Sequence, residues 1–238
     1  MTFPKRNTDS FIGFLRGYWD YYRELENDFM ATRKYVSFNQ DNFSTYSIEY
    51  LKLYQAVCSE IDVIGKDMAN AANERFKPDD KQNNILKWWF EIQTKYRISE
   101  SPSSSVEQYE TGIELPVFSC LFLGRFKLVP WDGFKTEWYR DKRGSSRCRP
   151  ADSTVPRWWT CYTSVKHNRM TRDRKTGELN YSKANLGNLV DAFAGLYSLE
   201  IAYMQSLGEK NDLEAFADES RLFVEKRYVT SEDIGILF

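Results

Sequence analysis

The chain is predicted to fold as a mainly α protein, a helical bundle of four to five helices carrying a small β-hairpin insert. Three observations carry that prediction. Apolar residues recur at alternating steps of four and three over long stretches, this period vanishes between about residues 98 and 155, and β-leaning segments take its place there. With 238 residues and 42% hydrophobic side chains the chain can bury a full core. It is read as one domain over 1–238, with the insert at about 98–155.

Phe11, Leu15, Tyr18, Tyr22, Leu25 and Phe29 form one stripe of a first helix expected over about 9–35, with Trp19 at its edge. The segment FNQDNFSTYS favours turns, and Thr45 or Ser47 is placed to cap the next helix. Tyr50, Tyr54, Val57, Ile61, Ile64 and Met68 repeat the same alternation, so helix two packs lengthwise on helix one. A third helix is expected to begin at the acidic turn Pro78-Asp79-Asp80 and to turn Ile85, Trp88, Trp89, Ile92 and Tyr96 inward. After ISESPSSS the segments IELPVFSCLFL and GRFKLVPW read as strands, with Gly124 at the turn. DKRGSSRCRPADSTVP reads as a polar loop.

Helicity resumes after Pro156, a favoured first-turn residue, with RWWTCYTSVKHNR. A last long helix is expected over about 182–207, and its Gly187, Ala192, Ala194, Gly195 and Ala202 permit close helix approach. Near the end, RLFVEKRYV reads as a strand that pairs with the insert. Aromatic residues make up 16% of the chain, consistent with a core built on rings.

Several chemistries lack the residues they require. There is no phosphate-binding G-x-x-x-x-G-K-[ST] loop, no G-x-G-x-x-G and no G-x-S-x-G elbow. One histidine, no C-x-x-C and no E-x-K leave zinc and the commonest metal-dependent nuclease sites unsupported, so no metal and no cofactor is expected. The four cysteines (Cys58, Cys120, Cys148, Cys161) are expected as thiols, with Cys148 in a polar setting. No apolar run approaches the roughly 18 residues of a membrane span, and MTFPKRNTDS is not a leader, so the expected location is cytoplasmic, away from membranes.

The formal charge of −1 conceals an uneven distribution. Residues 1–123 carry 14 Lys+Arg and 18 Asp+Glu, residues 124–175 carry 14 and 5, and residues 176–238 carry 5 and 11, giving nets of −4, +9 and −6. The basic middle favours RNA or another phosphate-bearing partner, with Arg143, Arg147, Arg149, Arg157, Arg172 and Arg174 as the expected nucleic-acid-binding residues; a solvated basic loop is the plainer alternative.

Within that segment the only histidine sits in Val165-Lys166-His167-Asn168-Arg169. At 100° per residue, Trp158, Cys161, Tyr162, Val165 and Arg169 share one side of a helix, and His167 lies opposite with Thr160 and Thr163. His167 is therefore expected to face away from the core, while Arg169 must pass the helix end or meet a buried acid. Glu60 and Asp62 of helix two are the candidate acids, through a Glu60–Arg169 or Glu60–Lys166 pair. The chemistry this set suits is cleavage of an RNA phosphodiester. A neutral imidazole, with an ordinary pKa of about 6.5, takes the 2′-OH proton, and cations stabilise charge on phosphorus. His167, Arg169 and Lys166 are the candidate catalytic residues. Trp158 and Trp159 are candidates for base stacking or for the core, and Asn185 and Asn188 for a ligand or for helix capping.

The aromatic first helix, the helix ending in Lys166-His167-Asn168-Arg169, and the following Ala184-Asn185-Leu186-x-Asn188 together resemble the HEPN-like helical bundles of bacterial toxin and antiphage systems, over about 10–95 and 156–207. The resemblance implies a helical bundle, often a homodimer, acting as a metal-independent ribonuclease or as a non-catalytic scaffold with a defence-operon protein partner. Active members carry R-x4-6-H; here Thr160, Cys161 and Tyr162 stand where that arginine belongs, and Arg157 or Arg169 would have to replace it.

Overall fold

The computed structural model describes residues 8–81, 83–96, 119–132, 134, 136–140, 146–150, 155–208 and 219–225. Among them the fold is mainly helical with a small antiparallel sheet. Helix α1 (Thr8–Phe14) runs through a π-helical turn (Leu15–Trp19) into α2 (Asp20–Ala31). The wider turn shifts the register, so Trp19 is buried and Tyr18 only partly so, the reverse of what an uninterrupted helix gives. Trp19 then stacks on Tyr22 with ring centroids 5.0 Å apart.

Helix α3 (Ile48–Ala72) is the central element, and Ser47 caps it by accepting the Tyr50 N–H at 3.1 Å. Its whole 4-3 stripe is buried, as are Leu51, Leu53, Cys58, Gly65 and Ala69 beside it. Helix α4 (Ile85–Tyr96) packs on α3 through Trp88, which lies over Gly65. It begins later than the acidic turn suggested. Ahead of it Asp80 N–H donates to the Lys77 carbonyl and Asn83 N–H to the Asp80 carbonyl, holding these residues in turns, and Asn84 Oδ1 caps the helix on Lys87 N–H.

Strands β1 (Cys120–Phe122) and β2 (Phe126–Leu128) form the expected hairpin, turning at Leu123 and Gly124, both with positive φ. Strand β5 (Phe223–Glu225) pairs with the other edge of β1, so the hairpin becomes a three-stranded sheet ordered β2-β1-β5. The polar segment read as a loop contains a strand instead. Ser146–Pro150 (β4) pairs with Thr136–Arg140 (β3) in a separate antiparallel ribbon, with Trp138 opposite Cys148. Polar alternation in a ribbon leaves no hydrophobic period to read.

Helix α5 (Arg157–Asn168) follows Pro156, and α6 (Leu186–Gly208) packs against both α3 and α5 after a 3₁₀ turn at Asn180–Lys183. A cluster of indoles joins the layers. Trp131 stacks on Trp89 at 4.4 Å, meets Trp158 edge-on at 5.3 Å, and donates from Nε1 to Ser198 Oγ at 2.5 Å. Gly195 lets Trp158 approach α6, since a Cβ there would lie 3.1 Å from the ring. Trp158 is thus core, with Nε1 donating to the Pro130 carbonyl at 2.6 Å; Trp159 is half-buried against Tyr162. No described helix is long and apolar enough to cross a membrane.

Candidate nucleic-acid interface

The amphipathic pattern of α5 sets the orientation of the basic motif. Trp158, Tyr162 and Val165 are buried, Cys161 is half-buried, and Thr160, Thr163, Lys166 and His167 are exposed. Arg169 caps the helix and is exposed, so it passes the helix end rather than entering the core. No described residue hydrogen-bonds the His167 side chain. Lys166 Nζ lies 5.5 Å from the centre of the Tyr162 ring, near enough to Cys58 to oppose the rise that burial imposes on that thiol.

Beyond Arg169 the chain forms a compact basic arm, residues 169–183. Arg172 and Leu179 form an antiparallel bridge, Asp173 N–H donates to the Glu178 carbonyl at 2.7 Å, and Gly177 N–H donates to the Asp173 carbonyl at 2.9 Å. Gly177 has φ +74°, the left-handed conformation that glycine reaches without strain. Asp173 organises the turn. Its Oδ1 accepts Lys175 and Thr176 N–H at 2.8 and 3.2 Å, and its Oδ2 meets Lys183 Nζ at 2.6 Å. The bond from Lys183 and those two backbone donors hold its carboxyl down at about 2. The arm is tied to α5 by Asn180 Nδ2 on the Asn168 carbonyl, at 3.0 Å, and by Tyr181 N–H on the Arg169 carbonyl, at 3.0 Å.

The outcome is a fixed surface of like charge. Lys166, Arg169, Arg172, Arg174 and Lys175 are all exposed, and none forms an ion pair among the described residues. Arg172 donates only to the Gly177 carbonyl, at 2.8 Å. Of the two nearby acids, Asp173 is committed to Lys183, and Glu178 accepts from Ser182 Oγ at 3.3 Å. Met170, next to Arg169, is 74% exposed. At the base, Tyr181 meets the half-exposed Tyr46 edge-on, with centroids 5.5 Å apart.

Arg157 serves a different cluster. Burial pushes Asp191 up to about 6 against the opposing charge of Arg157. The half-buried Cys161 thiol is raised by burial, while the Lys183 and Arg157 charges and bonds to Arg157 and Asn188 oppose the rise. Asn185 and Asn188 take the capping alternative. Asn185 Oδ1 accepts Asn188 N–H at 3.0 Å, and Asn188 Nδ2 donates to the Lys183 carbonyl at 2.9 Å.

Glu60 and Asp62 form no ion pair with Arg169 or Lys166. Asp62 Oδ2 pairs with Lys66 at 2.5 Å and its Oδ1 accepts Trp88 Nε1–H at 3.1 Å. Burial and the nearby Asp67 push Glu60 up. Asp62 is therefore taken up by its own i+4 lysine and by α4. Arg147 and Arg149 lie in β4 opposite Tyr139 and Glu137, and Arg143 falls outside the described residues. Sequence reasoning passed over Asp173, Lys175 and Lys183; the signal was the Asp173-Arg-Lys-Thr-Gly177 turn pattern. Among the described residues no group of three or more His, Cys, Asp or Glu side chains could hold a metal ion. Neither a family model, nor a curated protein, nor a solved structure matches this chain.

Proposed function

We propose that this protein binds single-stranded RNA along its phosphate backbone, through the arm 169–183 and the last turn of α5. The observation that carries the reading is the arm itself. Four exposed cations without an ion-pair partner among the described residues, Arg169, Arg172, Arg174 and Lys175, are held in one place by an internal bridge, an Asp173-centred turn and the Asp173–Lys183 pair, and Lys166 on α5 adds a fifth beside them. A loop already ordered loses less conformational entropy on binding than a free tail of the same composition. Phosphates of a strand laid across it replace the missing counter-charges and release condensed cations. The Tyr46–Tyr181 pair at the base of the arm offers aromatic surface to unstacked bases, which favours single strands over duplex.

Fluorescence anisotropy with a mixed-sequence single-stranded RNA, across roughly 50–200 mM salt, tests this. Five phosphate contacts give a slope of log affinity against log salt of roughly −3 to −4. Replacing Arg169, Arg172 and Arg174 with Gln flattens the slope by about 2. Binding that ignores salt, or an unchanged slope in the variant, contradicts the proposal.

A second reading, cleavage of the bound strand, is favoured by one observation: the His167 imidazole is exposed between Lys166 and Arg169 with no bond to a described residue. The neutral ring would accept the 2′-OH proton, the 2′-oxygen would attack phosphorus, and the 5′-oxygen would leave, giving a cyclic phosphate and a free hydroxyl end. Incubation with RNA in EDTA, comparing wild type with His167→Ala, decides it. Fragments from wild type alone support cleavage; intact RNA in both lanes leaves a binding or scaffold protein.

A further inference from the structure

A second basic site lies at the opposite end of α3 from Ser47, independent of the arm. The chain leaves α3 at Asn73 into the turns of residues 73–81, and a cleft of about 390 Å³ opens between these turns, Asn83 and the first two turns of α4. That volume lies in the lower part of the range of small-molecule sites, roughly 300–1,000 Å³.

The cleft has two faces of different chemistry. Phe76, Leu86 and Phe90 supply an apolar wall, and Arg75, Lys77 and Lys87 supply cations. Those three cations are exposed, and among the described residues none has an ion-pair partner. Two carboxylates also line the cleft, leaving a net lining charge of +1 from three cations and two acids. Glu91 is occupied, since its Oε2 accepts Asn73 Nδ2–H at 3.0 Å, and Asp80 also has an interaction of its own. The N-terminal end of the twelve-residue α4 opens here and adds the positive end of its dipole.

The walls are preformed. Asn73 Oδ1 accepts Arg75 N–H at 3.0 Å, Asn83 Nδ2 donates to the Lys77 carbonyl at 2.5 Å and the Pro78 carbonyl at 3.3 Å, and Phe76 N–H donates to the Asn73 carbonyl at 2.9 Å. These bonds fix the backbone at Arg75 and Lys77 and seat Phe76 as a buried floor. An ordered rim of cations with no ion-pair partner among the described residues, above an apolar floor, matches a ligand that carries both features.

We propose that this cleft binds a small organic anion with an aromatic body, its ring against Phe76 and Phe90 and its phosphoryl or carboxyl group between Arg75, Lys77 and Lys87. The arginine fork suits two oxygens of such a group, and the lysines act as point charges. Ring and anion must be joined in one molecule, because each half alone meets only one face.

Isothermal titration of the full chain tests the proposal with phenyl phosphate, benzoate, inorganic phosphate and phenol as probes. Phenyl phosphate or benzoate is expected to bind at least about tenfold more tightly than inorganic phosphate or phenol, and which of the two is preferred identifies the head group. In Arg75→Gln/Lys87→Gln, both exposed positions, that affinity falls at least about tenfold at an unchanged melting temperature. The Arg169/Arg172/Arg174→Gln chain retains it, which separates this site from the arm. Equal affinity for phenyl phosphate, benzoate and inorganic phosphate, unchanged binding in the cleft variant, or loss of binding in the arm variant overturns the proposal.

Discussion

Lys183 Nζ and Asp173 Oδ2 lie 2.6 Å apart, an ion pair that closes the base of the basic arm across ten residues of chain. The same aspartate caps the turn inside the arm, so one carboxylate orders both its base and its tip. Asp173→Asn therefore separates two effects. It raises the net charge by one, which by charge alone strengthens RNA binding, but it frees Lys183 and loosens the turn. The expected outcome is weaker binding, by a few-fold, with faster amide exchange at Lys175, Thr176 and Gly177. Tighter binding with unchanged exchange would show that arm order contributes nothing.

The pH dependence of the arm follows from the depressed Asp173 carboxyl. A group lowered in the folded state contributes stability above its ordinary pKa and loses it as pH falls through the folded value. With Asp173 held at about 2, the arm is expected to stay closed from neutrality down to about pH 4, to lose this stabilisation progressively below that, and to open as the pH approaches 2. Amide exchange at Gly177, corrected for intrinsic rate, checks this; opening between pH 7 and 5 contradicts it.

Glu200 predicts the opposite trend for the whole fold. It is fully buried on α6, and among the described residues neither carboxylate oxygen has a hydrogen-bond partner. Burial first, and then the nearby Glu60, push it well above the carboxylate range. The folded chain holds a proton that the unfolded chain releases above about pH 4, so stability falls as pH rises past that point. Glu200→Met is expected to raise stability at neutral pH by about 1–3 kcal/mol and to flatten the dependence, read from melting curves across pH. A loss of stability in this variant would mean the carboxyl has a favourable role in the core.

Gly65→Ala tests the α3–α4 contact. The added Cβ would lie 2.7 Å from Trp88 Cε3, and Trp88 is anchored by its bond to Asp62. Overpacking of about 1–3 kcal/mol outweighs the roughly 1 kcal/mol that alanine gains in helix propensity, so the melting temperature falls. A rise would show that α4 shifts freely on α3.

Long regular periods were legible in the chain because burial follows them directly. The α3 stripe, the Ser47 cap, the Gly124 turn and the outward placement of His167 all follow from spacing and local propensity. The start of α4 was not, because Asp79 and Asp80 imitate an acidic first turn while the bonds of Asn83 and Asn84 hold the chain in turns. Strand β4 was not, because SRCRP has no apolar alternation and exists by pairing with β3. The cations of the arm were readable as charge, but their fixed arrangement depends on a pair ten residues apart in irregular backbone, where no period points to the partner.

The most direct test of RNA binding by the arm uses the fact that the chain has a single histidine. Its imidazole resonances in a proton–nitrogen correlation spectrum report only on position 167, beside Lys166 and Arg169. The account predicts that single-stranded RNA moves them saturably at fixed pH, and that the shift disappears when Arg169, Arg172 and Arg174 are replaced by Gln. Resonances that stay in place while RNA binds would put the interface elsewhere on the protein.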